Sequence, residues 1–168
     1  VDLMNNLISH ISNMSLTVLF LGGQTNLAKE LAKCYRQNYP QIKFIGLQGI
    51  KNIKKPTPEE EKKIYRIVRT SKPQLVFVAF GSPSQELWLY KNKRLFSGCV
   101  CMGVGGAFDY LSGRMQRPKA LFRMWGIEWL IRLIRQPWRV IRQLRLIIFV
   151  YFVIKQKVHE ALEIKKSG

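Results

Sequence analysis

Residues 74–88 read QLVFVAFGSPSQELW. The apolar run ends on Gly81-Ser82-Pro83, and a helix-like pattern, LWLYKNKRLF, follows Gln85 and Glu86. An unbroken apolar segment of this length, bounded by turn residues, predicts a strand buried on both faces, as in a parallel sheet. Gly-Ser-Pro is then either a plain strand-to-helix turn or a binding loop at the end of a sheet. The surrounding sequence decides between them.

Upstream, LTVLFLGG (16–23) has the same form, an apolar β-rich run closing on Gly22 and Gly23. TNLAKELAKCYRQNY follows with Leu27, Leu31, Cys34 and Tyr35 at helical spacing, and Pro40 closes it. IKFIGL predicts another strand and GIKNIKKPT a polar loop. Thr57-Pro58-Glu59-Glu60 predicts a helix start, with a capping hydroxyl, proline at the first position and acids in the first turn. CVCMGVGG (99–106) is a fourth strand ending in glycines, and residues 3–14 have the spacing of a short amphipathic helix. Strands alternating with helices at βαβ spacing predict an α/β fold: a Rossmann-like parallel sheet with helices on both faces. In such sheets ligands bind beyond the carboxyl ends of the strands, which is where these glycines fall.

The composition changes near residue 113. Residues 1–113 hold the βα pattern and form the expected Rossmann-like α/β domain. From Arg114 to Lys157 the chain carries eleven basic residues and one acid, Glu128, with Trp125, Trp129 and Trp138 among them. Residues 114–168 therefore predict a basic amphipathic helical appendage, with Pro137 separating two helices. The whole chain has 28 Lys+Arg against 10 Asp+Glu, a net charge of +18, and so is expected to seek anions. Cys34, Cys99 and Cys101 show neither a disulfide framework nor metal-ligand spacing and are expected as buried thiols in a reducing compartment. No metal and no cofactor is expected. The longest apolar run, Leu146–Ile154, falls short of the roughly 20 residues that a bilayer-crossing helix takes. The first residues lack the basic start and apolar core of an export signal.

Glycines at strand ends let a phosphate approach the backbone closely. On that basis Gly22, Gly23, Gly81, Ser82, Gly105 and Gly106 are candidate binding residues, each with a plain turn as the competing role. Asp109, three residues past Gly106, could accept from a ribose or base, or serve as a turn or capping residue. Ser82 or Ser84 could cap the next helix. Gln85 and Glu86 could instead face the ligand crevice, where a glutamine can give and accept hydrogen bonds to sugar hydroxyls. Neither a G-x-G-x-x-G fingerprint nor a Walker A pattern is present. Arg132, Arg135, Arg139, Arg142 and Arg145 are spaced by three and four residues among Leu, Ile, Trp and Val. They suit an anionic lipid surface or closure over a diphosphate, because the planar guanidinium binds phosphate bidentately.

LVFVAFGSPSQELW, MGVGGAFDYLSGRMQRP and GIEWLIRLIRQPWRVIRQ together resemble the WecG/TagA/CpsF family of bacterial glycosyltransferases (family 26), from about Asp2 to Arg142. The resemblance implies transfer of an N-acetylmannosamine-type sugar from a UDP-sugar donor to a polyprenyl-diphosphate-linked acceptor. The site would lie on the inner face of the bacterial plasma membrane, and the product would enter teichoic acid, common-antigen or exopolysaccharide synthesis. It implies that Gln85 lies in the sugar or acceptor pocket, that Asp109 with Gly105-Gly106 holds the uridine part, and that Arg132, Arg139 and Arg142 close over the diphosphate. The family's proposed catalytic base, an Asp in an Asp-Gly motif, lies upstream of the matched DLM and has no counterpart after Val1. The base is therefore expected upstream, and the chain is expected to be one piece of a longer protein. An inactive relative that binds the donor or docks on the membrane is the alternative. A nucleic-acid module fits poorly, because the cations are interleaved with long apolar runs. A homo-oligomer is compatible with all of this.

Overall fold

The computed structural model describes residues 1–114 and 148–156. The chain divides into two compact units, Val1–Gln116 and Arg117–Gly168. The first contains α1 (Asp2–His10), β1 (Thr17–Gly22), α2 (Leu27–Asn38), β2 (Lys43–Leu47), α3 (Pro58–Ser71), β3 (Leu75–Ala79), α4 (Ser84–Lys91), β4 (Val100–Gly103) and α5 (Ala107–Leu111). All strand pairs are parallel, in the order β2-β1-β3-β4. This is the expected Rossmann-like α/β sheet.

Alternation along the strands builds two cores. Val18 and Phe20 of β1, with Leu75 and Phe77 of β3, face α1, α2 and α5, where Met4, Ile8, Leu27, Leu31 and Phe108 are buried. Leu19, Leu21, Val76 and Val78 face the other way, onto Ile64 and Val68 of α3 and Trp88 of α4. Phe20 is the hub of the first core. Its ring lies 5.5 Å from Tyr35 and Phe44, 5.8 Å from Phe77 and 5.6 Å from Phe108. Tyr35 donates its hydroxyl to Asn5 Oδ1, tying α2 to α1. Burial first, and then the neighbouring Tyr39 and Cys34, push the Tyr35 hydroxyl up to about 12, so it stays a neutral donor.

Local details differ from the sequence expectations. α1 stops at His10, because the chain turns over Ile11–Met14 to enter β1. On α2 the buried positions are Leu27, Ala28, Leu31, Ala32 and Tyr35; Cys34 lies just off that stripe and is exposed. Cys99 precedes β4, and both it and Cys101 are half-buried, because β4 is an edge strand with Val100 exposed. The three thiols are therefore not a buried set, although burial raises Cys101 to about 11 and raises Cys99 too.

The start of α3 follows its sequence signature. Thr57 Oγ1 accepts from Glu60 N–H at 3.3 Å, and Glu60 Oε2 accepts from Thr57 N–H at 3.0 Å. The second carboxylate oxygen of Glu60 accepts from Lys51 N–H at 3.0 Å, so one side chain fixes both the helix start and the loop after β2. These backbone N–H groups, Lys51 first, hold the Glu60 carboxyl below its ordinary 4.5. Its contribution to stability is thus present above pH 4.5 and lost as pH falls through the lowered value. Thr57→Ala should cost about 1 kcal/mol. Glu60→Gln should flatten the acid limb of the melting temperature against pH. Thermal melts of both variants across the acid range check this.

Candidate functional site

β1 leads to β2 on one side, and the chain then crosses back to place β3 on the other. The topological switch point therefore falls between the carboxyl ends of β1 and β3. Glycine turns follow β1, β2 and β3 there, and another follows β4 next to β3. Gly23 N–H donates to the Ala79 carbonyl at 3.0 Å, carrying the β1–β3 pairing to the rim. Gly22 is buried with φ +103°, and a Cβ there would come within 2.9 Å of both Ala79 O and Phe80 Cδ1. Gly49, beyond β2, backs onto the same place: its Cβ would overlap the Phe80 ring and lie 2.8 Å from Gly22 Cα. The Phe80 ring and main chain thus fill the place where the chain leaves three strands, and neither Gly22 nor Gly49 has room for a side chain.

Gln85 joins the glycine corners that follow β3 and β4. It is 3% exposed, in the first turn of α4. Its Oε1 accepts from Gly81 N–H at 3.2 Å and from Gly105 N–H at 3.1 Å, and its Nε2 donates to Glu86 Oε1 at 2.8 Å. The carbonyl that could have met a sugar hydroxyl thus holds the β3 and β4 loops together. Gly103 leaves room for it, since a Cβ there would lie 2.6 Å from Gln85 Nε2. The residue before α4 is Pro83, and neither Ser82 nor Ser84 caps the helix with its side chain. Ser82 is exposed at the corner, joined to Pro83 by a cis peptide.

Asp109 is half-buried, on α5 directly after the Gly105-Gly106 turn; Gly106, not Asp109, occupies the capping position. Phe108 fixes α5 through the Phe20 cluster and also borders Gly23, whose Cβ would lie 3.3 Å from the Phe108 ring. Gly22, Gly23, Gly81, Gln85, Gly105, Gly106 and Asp109 therefore share one edge of the sheet. Arg132, Arg139 and Arg142 lie outside the described residues. At the exit of α5, Arg114 pairs with Glu30 of α2 at 2.8 Å across partly exposed side chains.

Other concavities lie elsewhere. A cleft of about 390 Å³ between α3 and α4 is lined by Tyr65, Arg69, Lys91, Asn92, Arg94 and Leu95. One of about 430 Å³ opens beside Pro73, Gln74, Gly98 and Cys99, which precede β3 and β4 and so mark the amino edge. Both are larger than the notch of about 150 Å³ formed by Gln48, Gly49, Lys51, Glu60 and Lys63 after β2. A third, of about 470 Å³, is lined by Glu59, Lys62, Lys63 and Arg66 of α3. Size alone does not pick the site, because none of these three clefts is lined by the glycine corners of the carboxyl edge. Sequence reasoning missed Gly49, Phe80 and the Gln48 notch. The sole signal for them was the glycine of LQGI, two residues after a strand. Among the described residues no group of three or more His, Cys, Asp or Glu side chains is placed to hold a metal ion.

The whole chain can be set against known proteins. N-acetylglucosaminyldiphosphoundecaprenol N-acetyl-beta-D-mannosaminyltransferase of Bacillus spizizenii is 28% identical over 156 residues, which is 93% of this chain and 58% of that protein. The Staphylococcus aureus protein of the same name is 32% identical over 152 residues, 89% of this chain and 56% of that protein. The chain spans a little over half the length of these curated relatives. The model of the glycosyl transferase WecG/TagA/CpsF family matches residues 1–162, a span that includes every corner of the carboxyl edge and the basic segment after it. Sheet order, glycine corners and sequence similarity agree, and the chain belongs to the glycosyl transferase WecG/TagA/CpsF family.

Proposed function

We propose that the carboxyl edge of the sheet binds the UDP-sugar donor of a glycosyl transfer. An N-acetylmannosamine-type group moves from that donor to a polyprenyl-diphosphate-linked sugar acceptor. The acceptor hydroxyl attacks the anomeric carbon as the bond from that carbon to the diphosphate oxygen breaks. UDP departs, the configuration inverts, and the hydroxyl proton passes to a base. No metal is required, because arginines and helix N-termini offset the charge on the leaving diphosphate. Gly22-Gly23, Gly81-Ser82 and Gly105-Gly106 line the pyrophosphate, Asp109 accepts from the uridine part, and Arg132, Arg139 and Arg142 close over the phosphates.

The observation that carries this reading is the Gln85 bridge. It fixes two glycine corners beside the switch point before any ligand arrives. The names of the two relatives, which act on an undecaprenol-linked sugar, support the acceptor class. Charge supports docking on an anionic membrane surface at the inner face. Residues 1–114 carry sixteen Lys+Arg against seven Asp+Glu, and residues 115–168 twelve against three. Among the described residues no helix is long and apolar enough to cross a membrane.

Calorimetric titration of the chain with UDP should show one saturable site. Asp109→Asn should weaken it about tenfold or more, the scale of one charged hydrogen bond. Absence of UDP binding would remove the reading. Binding of UDP without sugar transfer to a polyprenyl-diphosphate acceptor would leave a donor-binding, membrane-docked relative.

A further inference from the structure

α3 and α4 run back from the carboxyl edge, and the cleft of about 390 Å³ opens between their C-terminal parts. Three of its lining residues are cations, Arg69, Lys91 and Arg94, and among the described residues no acid lines it. None of the three has an ion-pair partner among the described residues. Lys93, beside them in sequence, is instead engaged with the Tyr90 ring, 4.9 Å from its centroid. We infer that this cleft is a second anion site, which takes the phosphate of a small soluble phosphate ester or diphosphate. The inference stands apart from donor binding at the carboxyl edge.

Helix dipoles explain part of this arrangement. Arg69 lies in the last turn of α3 and Lys91 in the last turn of α4, where a cation offsets the partial negative charge of the carbonyls. That accounts for each of them singly. It does not account for Arg94, which lies beyond α4, or for all three meeting at one concavity. Like charges around one cleft raise one another's energy, and an anion between them relieves it. The cleft is also held in shape before a ligand arrives. Asn92 is 8% exposed; its Oδ1 accepts from the Tyr65 hydroxyl at 2.6 Å, and its Nδ2 donates to the Trp88 carbonyl at 2.9 Å. The C-terminal cap of α4 is thereby tied to α3, and Nδ2 has a second hydrogen beyond this bond. The two guanidiniums suit phosphate, which they bind bidentately. Tyr65 and Leu95 offer apolar surface to a small organic group. The volume falls at the low end of the roughly 300–1,000 Å³ of small-molecule sites.

Inorganic pyrophosphate is the probe, titrated calorimetrically into the full chain in the presence of saturating UDP. A further site should remain. The pair Arg69→Gln and Arg94→Gln should weaken it about a hundredfold, the scale of two charged hydrogen bonds. Both arginines are exposed, so the thermal transition of the pair in phosphate-free buffer should match that of the parent. Pyrophosphate should raise that transition in the parent more than in the pair. Glycerol 3-phosphate should compete with pyrophosphate at this site, and flotation on phosphatidylglycerol vesicles should be the same for both proteins. Pyrophosphate binding that UDP abolishes, or that the pair leaves intact, overturns the inference. Flotation lost in the pair transfers the site to a lipid headgroup and also overturns it. If UDP does not bind while the pair still removes a pyrophosphate site, donor binding fails and this inference stands.

Discussion

Gly46→Ala should leave little or no folded protein, with a stability loss of about 3 kcal/mol or more. Gly46 sits in β2, opposite Phe20 of β1. A methyl group there would overlap the backbone carbonyl of Ala28 and come within 2.5 Å of Lys29 Cα. The obstacle is the main chain of α2, so no rotamer change relieves it. α2 would have to lift away from the sheet, and with it the buried contacts of Leu27, Ala28, Leu31 and Tyr35. Close-packed interiors do not absorb such a shift. Gly98→Ala is the control. That glycine has φ +82° but nothing within 4 Å of the added atom, so only local backbone strain of about 1–2 kcal/mol is at stake. Urea denaturation of the two variants beside the parent checks the ordering, and a Gly46→Ala protein as stable as Gly98→Ala would contradict the close approach.

Gln85→Leu should cost about 3 kcal/mol and also disable the carboxyl edge. Leucine keeps the bulk but removes the shared acceptor, leaving the N–H groups of Gly81 and Gly105 without their partner in a part-buried setting. An orphaned buried donor costs about 1–3 kcal/mol. The β3 and β4 loops are then free to separate, and UDP affinity should fall further than stability alone explains. Gln85→Glu makes the test sharper. It retains an acceptor for both glycines but sets a second carboxylate where the amide now donates to Glu86. Stability of Gln85→Glu should therefore be intermediate, and should recover toward the parent in the double variant Gln85→Glu, Glu86→Gln. The single variant Glu86→Gln closes the cycle, and chemical denaturation and UDP titration are read on all five proteins. Equal behaviour of Leu and Glu at this position would show that the acceptor is not what matters.

The strands were legible because their code is local. Apolar runs closing on glycine at βαβ spacing leave few topologies for a parallel sheet, and the order β2-β1-β3-β4 is one of them. The capping box at Thr57 was legible for the same reason, since both partners lie within four residues. The role of Gln85 was not. Its position after GSPS marks it as a first-turn residue, but its acceptor is shared with Gly105, twenty positions away, and only the assembled sheet brings them together. Cys34 was misread as buried because helical spacing puts it beside the true stripe, and one residue of rotation separates core from solvent. The packing of Gly49 against Gly22 and Phe80 was likewise invisible, since it joins three separate loops.

The Gly23 contact with Ala79 keeps the two central strands zipped to their final residue, so a pyrophosphate bound as proposed would settle on top of them rather than wedge between them, like a coin on a closed book. Little main-chain freedom remains to be surrendered on arrival at this spot. Amide exchange at Gly23 should therefore be slow already in the empty protein and scarcely slower once the nucleotide is seated.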